Sequence, residues 1–298
     1  MDTDRDPVVI GEVPMPRLMA VMNASPESFS GGVVDAASVV EVAQEHVAGG
    51  ASVLDVGGQS LRTDEPELPV EVELDRSVPL VRALREAFGA EGPDLSVDTY
   101  RAPVAAAAVE AGATIVNDPS GLRDPELLAV IRDSGVQVVV TYNRARPKVR
   151  LQADELATDP VADGLAALRE RIERLVGAGV SESQVLVDPG PDLGKSPAQT
   201  VAVLRALEAF RSLGRPLLLA LSRKDVIGAT LRRPPAERAA GLDGVLAALD
   251  LRPDDGIRVH EPRTVRDFYV MRAVIAGDVE VPADLSLPVH LRHRRAPG

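Results

Sequence analysis

Short apolar runs of strand length alternate with longer stretches of helical periodicity along almost the whole chain. The strand-length runs fall at 17–22, 52–56, 95–97, 114–116, 137–140, 184–187, 217–220 and 256–259. The helical stretches lie at 36–48, 70–88, 102–111, 125–134, 161–178, 197–212, 235–249 and 264–276. Glycines follow the helices at Gly49-Gly50, Gly89, Gly112, Gly135, Gly179 and Gly214, where a left-handed cap is wanted. Prolines stand near helix starts at Pro125, Pro197 and Pro235. Eight alternations of strand and helix imply parallel pairing. With no dinucleotide glycine fingerprint to favour an open sheet, they predict an α/β fold: a single closed (β/α)8 (TIM) barrel. No Pro/Ser/Gly-rich linker divides the chain, so one domain spans 1–298, with 1–16 and 284–298 as loose ends.

Composition narrows the picture. The chain has 298 residues, slightly more than a typical barrel of this kind. Hydrophobic residues make up 45% and aromatics only 2%, so the core must be built from Ala, Val, Leu and Ile. The net charge of −12 repels nucleic acid and anionic membranes, leaving small molecules as the expected partners. An anionic substrate then needs a local cluster of cations. The absence of cysteine excludes disulfides and thiolate chemistry. The polar N-terminus and the lack of a bilayer-length apolar run predict a cytoplasmic protein. Only three of the 33 basic residues are lysines, Lys148, Lys195 and Lys224, so a lysine here asks what arginine would not do.

In a (β/α)8 barrel the chemistry collects where strand C-termini meet the following loops. Those positions hold Asn23, Asp55, Asp98, Asn117 with Asp118, Thr141, Asp188, Ser222 to Lys224, and Arg258 with His260. Asp98, Asn117 and Asp188 suit a flat heterocycle whose edge carries amino and ring N–H donors. Lys224 brings a point charge to a ring carbonyl or nitrogen. Arg62, Arg258 and His260 form a separate cationic group for phosphate oxygens. Asn23 can give one oxygen to a Mg2+ whose other ligands are water and phosphate. Lys195 is read as structural, and Asp55 as a support of the second loop. His290 and His293 are read as solvated, and Glu27 stays open between a site carboxylate of the first loop and a solvated one.

Seven segments in order then resemble the signatures of one family, the dihydropteroate synthases. Asn23-Ala-Ser-Pro-Glu-Ser-Phe-Ser30 is similar to N-x-T-P-D-S-F-S, and Asp55-Val-Gly-Gly-Gln-Ser-Leu-Arg62 to D-I-G-G-E-S-T-R. Ser96-Val-Asp-Thr99 and Asn117-Asp118 resemble the third and fourth strand ends. Asp188-Pro-Gly-Pro-Asp-Leu-Gly-Lys195 resembles D-P-G-x-G-F-G-K, Ser222-Arg-Lys-Asp225 resembles S-R-K-S, and Arg258-Val-His-Glu261 resembles R-V-H-D. The resemblance implies condensation of 6-hydroxymethyl-7,8-dihydropterin diphosphate with p-aminobenzoate, releasing pyrophosphate, with Mg2+ as cofactor. It implies a pterin held by Asp98, Asn117, Asp188 and Lys224, and a diphosphate held by Asn23, Arg62, Arg258 and His260. Asp98, Lys224 and Arg258 become the catalytic residues. Loops 24–33 and 59–69 would close over p-aminobenzoate, and late helices would pair two copies into a homodimer.

Departures from the family pattern gather on the p-aminobenzoate side. Phe29-Ser-Gly-Gly32 lacks an acidic residue of the first loop, Leu61 replaces a threonine, and Thr63-Asp64 replaces Pro-Gly. Thr141-Tyr142-Asn143 replaces Met-His-Met, Asp192-Leu193 replaces Gly-Phe, and Asp225 stands where serine is usual. Two alternatives therefore stay open. One is a pterin-binding paralogue without synthase activity; the other is a methyltransferase using methyltetrahydrofolate.

Overall fold

The computed structural model describes residues 6–23, 36–61, 63, 65–288 and 291–292. Eight parallel strands carry the fold: β1 (Arg17–Asn23), β2 (Val53–Gly57), β3 (Asp94–Asp98), β4 (Ile115–Asp118), β5 (Gln137–Thr141), β6 (Val185–Asp188), β7 (Leu218–Ala220) and β8 (Gly256–Val259). Their order is β6-β5-β4-β3-β2-β1-β8-β7, and a parallel bridge from Val187 to Leu217 brings β6 to β7. The sheet thereby closes, as the alternation predicts.

Ten α-helices are described around it: α1 (Ala36–Ala48), α2 (Val70–Phe88), α3 (Ala102–Glu110), α4 (Pro125–Ser134), α5 (Pro160–Gly177), α6 (Pro197–Arg205), α7 (Leu207–Arg211), α8 (Asp225–Leu231), α9 (Ala239–Ala248) and α10 (Pro262–Ala276). Two expected helices are altered. The stretch 197–212 breaks at Ala206 (φ −104°, ψ 22°) into α6 and α7, and 235–249 starts as a 3-10 turn before α9. The seven-residue α8 was not expected; it begins inside the Ser222-Arg-Lys-Asp225 motif.

Strand alternation sorts the side chains into two layers. Leu18, Ala20, Leu54, Val56, Leu95, Val97, Val116, Val138 and Val140 face the helices and join the large outer core. Met19, Val53, Ile115, Val139, Leu186 and Leu218 form a separate cluster inside the barrel. That plug is the floor of the site. The next inward positions toward the strand C-termini belong to Asp55, Ser96, Asn117, Asp188 and Arg258. With aromatics scarce, branched aliphatics do nearly all of this filling, as barrel interiors prefer.

Candidate active site

Arg258, on β8, spans the floor. Its Nε donates to Asp55 Oδ2 at 2.6 Å and its Nη2 to Asp98 Oδ2 at 2.7 Å. Ser96 Oγ donates to the other oxygen of Asp55, and Asn117 Nδ2 to Oδ2 at 3.3 Å. Four strands thus share one buried network. Its members are spread along the sequence, with Asp55 and Arg258 separated by 203 positions. Arg258, expected from the sequence in a cationic group for phosphate oxygens, is lodged among the carboxylates, its guanidinium shared between Asp55 and Asp98. Asp55, read from sequence as a loop support, is instead the fully buried anchor of that arginine.

Burial raises Asp98 to about 7, with Arg258 opposing and Asp55 reinforcing the rise. Arg258, flanked by both carboxylates, is held firmly cationic despite its burial. Asp188 ends β6, and its Oδ1 accepts from Gly190 N at 2.8 Å. Burial raises it to about 6, while that hydrogen bond and Lys224 pull it down. Gly190 is required by this turn: its φ is +66°, and a Cβ there would lie 2.0 Å from the Tyr142 carbonyl oxygen. Lys224 stands at the N-cap of α8, and burial lowers its pKa against the pull of Asp192 and Asp188.

His260 Nδ1 lies 2.9 Å from Ser222 Oγ. Burial, then Arg223, Arg258 and Lys224, push its pKa to about 3. It is a neutral imidazole and not the expected cation, although an arriving phosphate would favour its protonation. Asp118 turns away from the cleft and accepts from Ser120 N at 2.7 Å and Leu122 N at 2.5 Å, so it shapes the loop after β4. The side chain of Asn23 and all of Arg62 lie outside the described residues, as do Glu27, Phe29-Ser-Gly-Gly32, Asp64, His290 and His293.

Several supports surround this network, and all but Lys195 escaped the sequence reading. Lys195 Nζ donates to the carbonyls of Gly190 (2.8 Å), Leu193 (3.0 Å) and Tyr142 (3.3 Å), and sits 4.1 Å from the Tyr142 ring centroid. It knits the β6 loop to the end of β5, in keeping with its structural reading. Burial pulls it down to about 7, with Asp188 opposing. The Tyr142 hydroxyl donates to Asp163, which also accepts from Arg144 at 3.0 Å. On the far side, the descending half of the second loop is tied down. Gln59 Oε1 accepts from Leu68 N at 2.6 Å, Arg101 donates to Glu67 at 2.7 Å and to the Leu68 carbonyl at 2.6 Å, and Lys148 Nζ reaches the Pro66 carbonyl at 3.0 Å. The Tyr100 hydroxyl accepts from Gln59 Nε2 at 3.0 Å and donates to Glu67 at 2.7 Å; Tyr100 and Arg101 lie two and three positions after the site residue Asp98, which is the one signal the sequence offers for them.

A (β/α)8 barrel with carboxylates, an amide and buried cations layered above an apolar floor defines a class: a barrel whose site suits a flat, donor-edged heterocycle bearing an anionic group. The model for pterin binding enzymes matches residues 19–260. Dihydropteroate synthase of Bacillus subtilis (strain 168) is 35% identical over 251 residues, 83% of this chain and 84% of that protein. Inactive dihydropteroate synthase 2 of Mycobacterium tuberculosis (strain ATCC 25618 / H37Rv) is 36% identical over 272 residues, 87% of this chain and 83% of the relative. The solved structure of Xanthomonas albilineans dihydropteroate synthase with 4-aminobenzoic acid superposes with a TM-score of 0.78 at 36% identity, covering 88% and 93% of the two chains. The chain belongs to the dihydropteroate synthase family of pterin-binding enzymes.

Proposed function

We propose that this dihydropteroate synthase-like transferase joins 6-hydroxymethyl-7,8-dihydropterin diphosphate to p-aminobenzoate. The observation that carries the reading is the convergence of Asp98, Asn117, Asp188, Lys224 and Arg258 from five loop-bearing strand ends onto one apolar floor. The pterin edge donates to Asp98, Asn117 and Asp188, and its carbonyl side accepts from Lys224. The methylene C–O bond breaks, and its electron pair leaves with pyrophosphate. Asp98, as the carboxylate, stabilises the positive charge that develops on the methylene. The amine of p-aminobenzoate forms the new C–N bond, and its surplus proton passes to water.

Arg258, Arg62 and His260 take the diphosphate end. For Arg258 this requires sharing its guanidinium between Asp98 and the phosphate. β1 ends at Asn23, which pairs in register with Gly57 and through it with Asp98, so Asn23 stands at the rim level of the site. A single neutral oxygen donor there suits Mg2+, which keeps its waters and takes phosphate oxygens. Among the described residues no cluster of three acidic or imidazole ligands offers another metal site. Bound there, Mg2+ would neutralise charge on the departing pyrophosphate. The working form is proposed to be a cytoplasmic homodimer; no helix among the described residues is long and apolar enough to cross a membrane.

A second reading is pterin binding without condensation. It is favoured by Leu193 in the place of an aromatic residue and by the inactive M. tuberculosis relative. The test is pyrophosphate release from the purified protein given dihydropterin diphosphate and Mg2+, with and without p-aminobenzoate. Release that depends on p-aminobenzoate and drops at least a hundredfold in Asp98→Asn is expected. Pterin binding without product would instead establish the second reading.

A further inference from the structure

We propose that Asp192 is a positioning residue for Lys224: it caps α8 from the β6 loop and sets a fixed negative charge in the field of the buried ammonium. The proposal rests on the reading of Lys224 as a pterin-binding group.

The backbone gives the first indication. Asp192 has φ +64°, a left-handed conformation that is unfavourable for an L-residue. The family pattern has glycine here, so the aspartate accepts strain that glycine avoids. Its side chain offsets that cost. Asp192 N donates to Thr200 Oγ1 at 3.0 Å, and the same hydroxyl donates back to Oδ1 at 3.0 Å. Oδ2 accepts from Val226 N at 3.1 Å. Thr200, in α6, is fully buried, so the β6 loop is fastened to both α6 and α8.

The start of α8 explains why this matters. Its N-cap is Lys224, which has no acceptor to give the first amide groups, and no side chain of its own cap bonds them. Asp192 supplies that acceptor from 34 residues away. The helix held in this way begins at the lysine, so the capping contact also sets the position of the Lys224 backbone.

The charge is the second function. Lys224 is faced by Asp188, Asp192 and Lys195 from β6 and its loop, by Asp98 from β3, and by Arg258 and His260 from β8. Burial and Arg258 disfavour its charged form; Asp192 is the foremost group opposing them. Without the Asp192 charge, Lys224 loses its proton at a lower pH.

The substitution that separates capping from charge is Asp192→Asn. Its carbonyl can still accept from Val226 N, and its amide can donate to Thr200 Oγ1, so the cap survives and the charge does not. Asp192→Gly removes both. The chain has three lysines, so 13Cε-lysine NMR resolves each one, with Lys224→Arg giving the assignment. In Asp192→Asn the Lys224 resonance is expected to titrate about one pH unit lower than in the wild type, with the melting temperature nearly unchanged. Asp192→Gly should show the same titration together with a lower melting temperature. An unchanged Lys224 titration in Asp192→Asn and in Asp192→Gly would overturn the proposal. Dihydropterin affinity, measured on the same samples from pH 7 to 10, tests the underlying reading separately. Affinity lost at a lower pH in Asp192→Asn than in the wild type, by about fivefold at the wild-type midpoint and about tenfold well above it, supports both. A shifted lysine in a protein that binds no pterin leaves Asp192 its role and removes that of the site.

Discussion

Asp55 and Asp98 depend on the same guanidinium, and both are nearly closed to water. Arg258→Ala leaves Asp55 without its 2.6 Å ion pair and Asp98 without its 2.7 Å one. Removing one partner of a buried pair costs roughly 3–5 kcal/mol, because a charge is left uncompensated. The pH dependence has a definite sign. A carboxyl whose folded pKa is raised, as Asp98 is to about 7, contributes stability that is fully present below its unfolded value near 4. That contribution is lost as pH rises toward the folded value. Losing Arg258 lifts Asp98 further, so the destabilisation of Arg258→Ala should be larger at pH 8 than at pH 5. Urea denaturation at the two pH values measures it, and equal penalties would contradict the account. None of this pairing was legible in the sequence. The strand-end positions marked Asp98 and Arg258 as facing one mouth, but which carboxylate an arginine 203 residues away would choose is a tertiary fact. The lowered pKa of His260 was hidden for the same reason: it comes from burial and from cations such as Lys224 on other elements.

Whole elements were easier to read, because each strand declares itself by a short apolar run and each helix by its period. The strand ends fall within a residue or two of the structure, which is why the rim residues were found. The failures have physical causes. Val203, Leu204, Leu207 and Phe210 keep one apolar face across the break at Ala206, so the hydrophobic period shows no interruption between α6 and α7. α8 has only seven residues and a lysine at its cap, too little pattern to announce a helix. The second loop is the clearest case of structure supplied from elsewhere. Glu73 in α2 is buried and accepts from Thr99 Oγ1 at 2.6 Å and Arg101 Nη1 at 2.9 Å, while the other arm of Arg101 holds Glu67 and the Leu68 carbonyl. Burial raises Glu73, and Thr99 and Arg101 counter it. Arg101→Met should therefore strand Glu73 and release the loop together. The expected result is a loss of about 2–3 kcal/mol in stability and faster amide exchange confined to residues 65–69 and the start of α2. Exchange unchanged in that segment would show that Arg101 does not restrain it.

For the molecule as a whole, charge and shape pull against each other. Every copy carries −12, so two copies repel at long range, and association needs apolar surface to overcome it. α10 offers such a surface. Val265, Tyr269, Val270 and Ala273 bury one face of it against the barrel, while Met271 and Ile275 are 56% and 81% exposed on the other. We propose that the homodimer expected from the family resemblance pairs through the face bearing those two residues. Ile275→Glu places a charge in the middle of the contact and adds one more negative charge per chain. The wild type should sediment as two chains of 31.5 kDa, and the variant as one. Because the like charges are exposed, added salt screens them, and wild-type dimerisation should strengthen as ionic strength rises from about 0.01 to 0.15 M. A dimer weakened by salt would point to an interface made of ion pairs elsewhere on the surface. α10 also follows directly from β8, which carries Arg258. Pairing through α10 would brace the strand that holds the central cation of the site, so Ile275→Glu should lower the melting temperature as well as the mass.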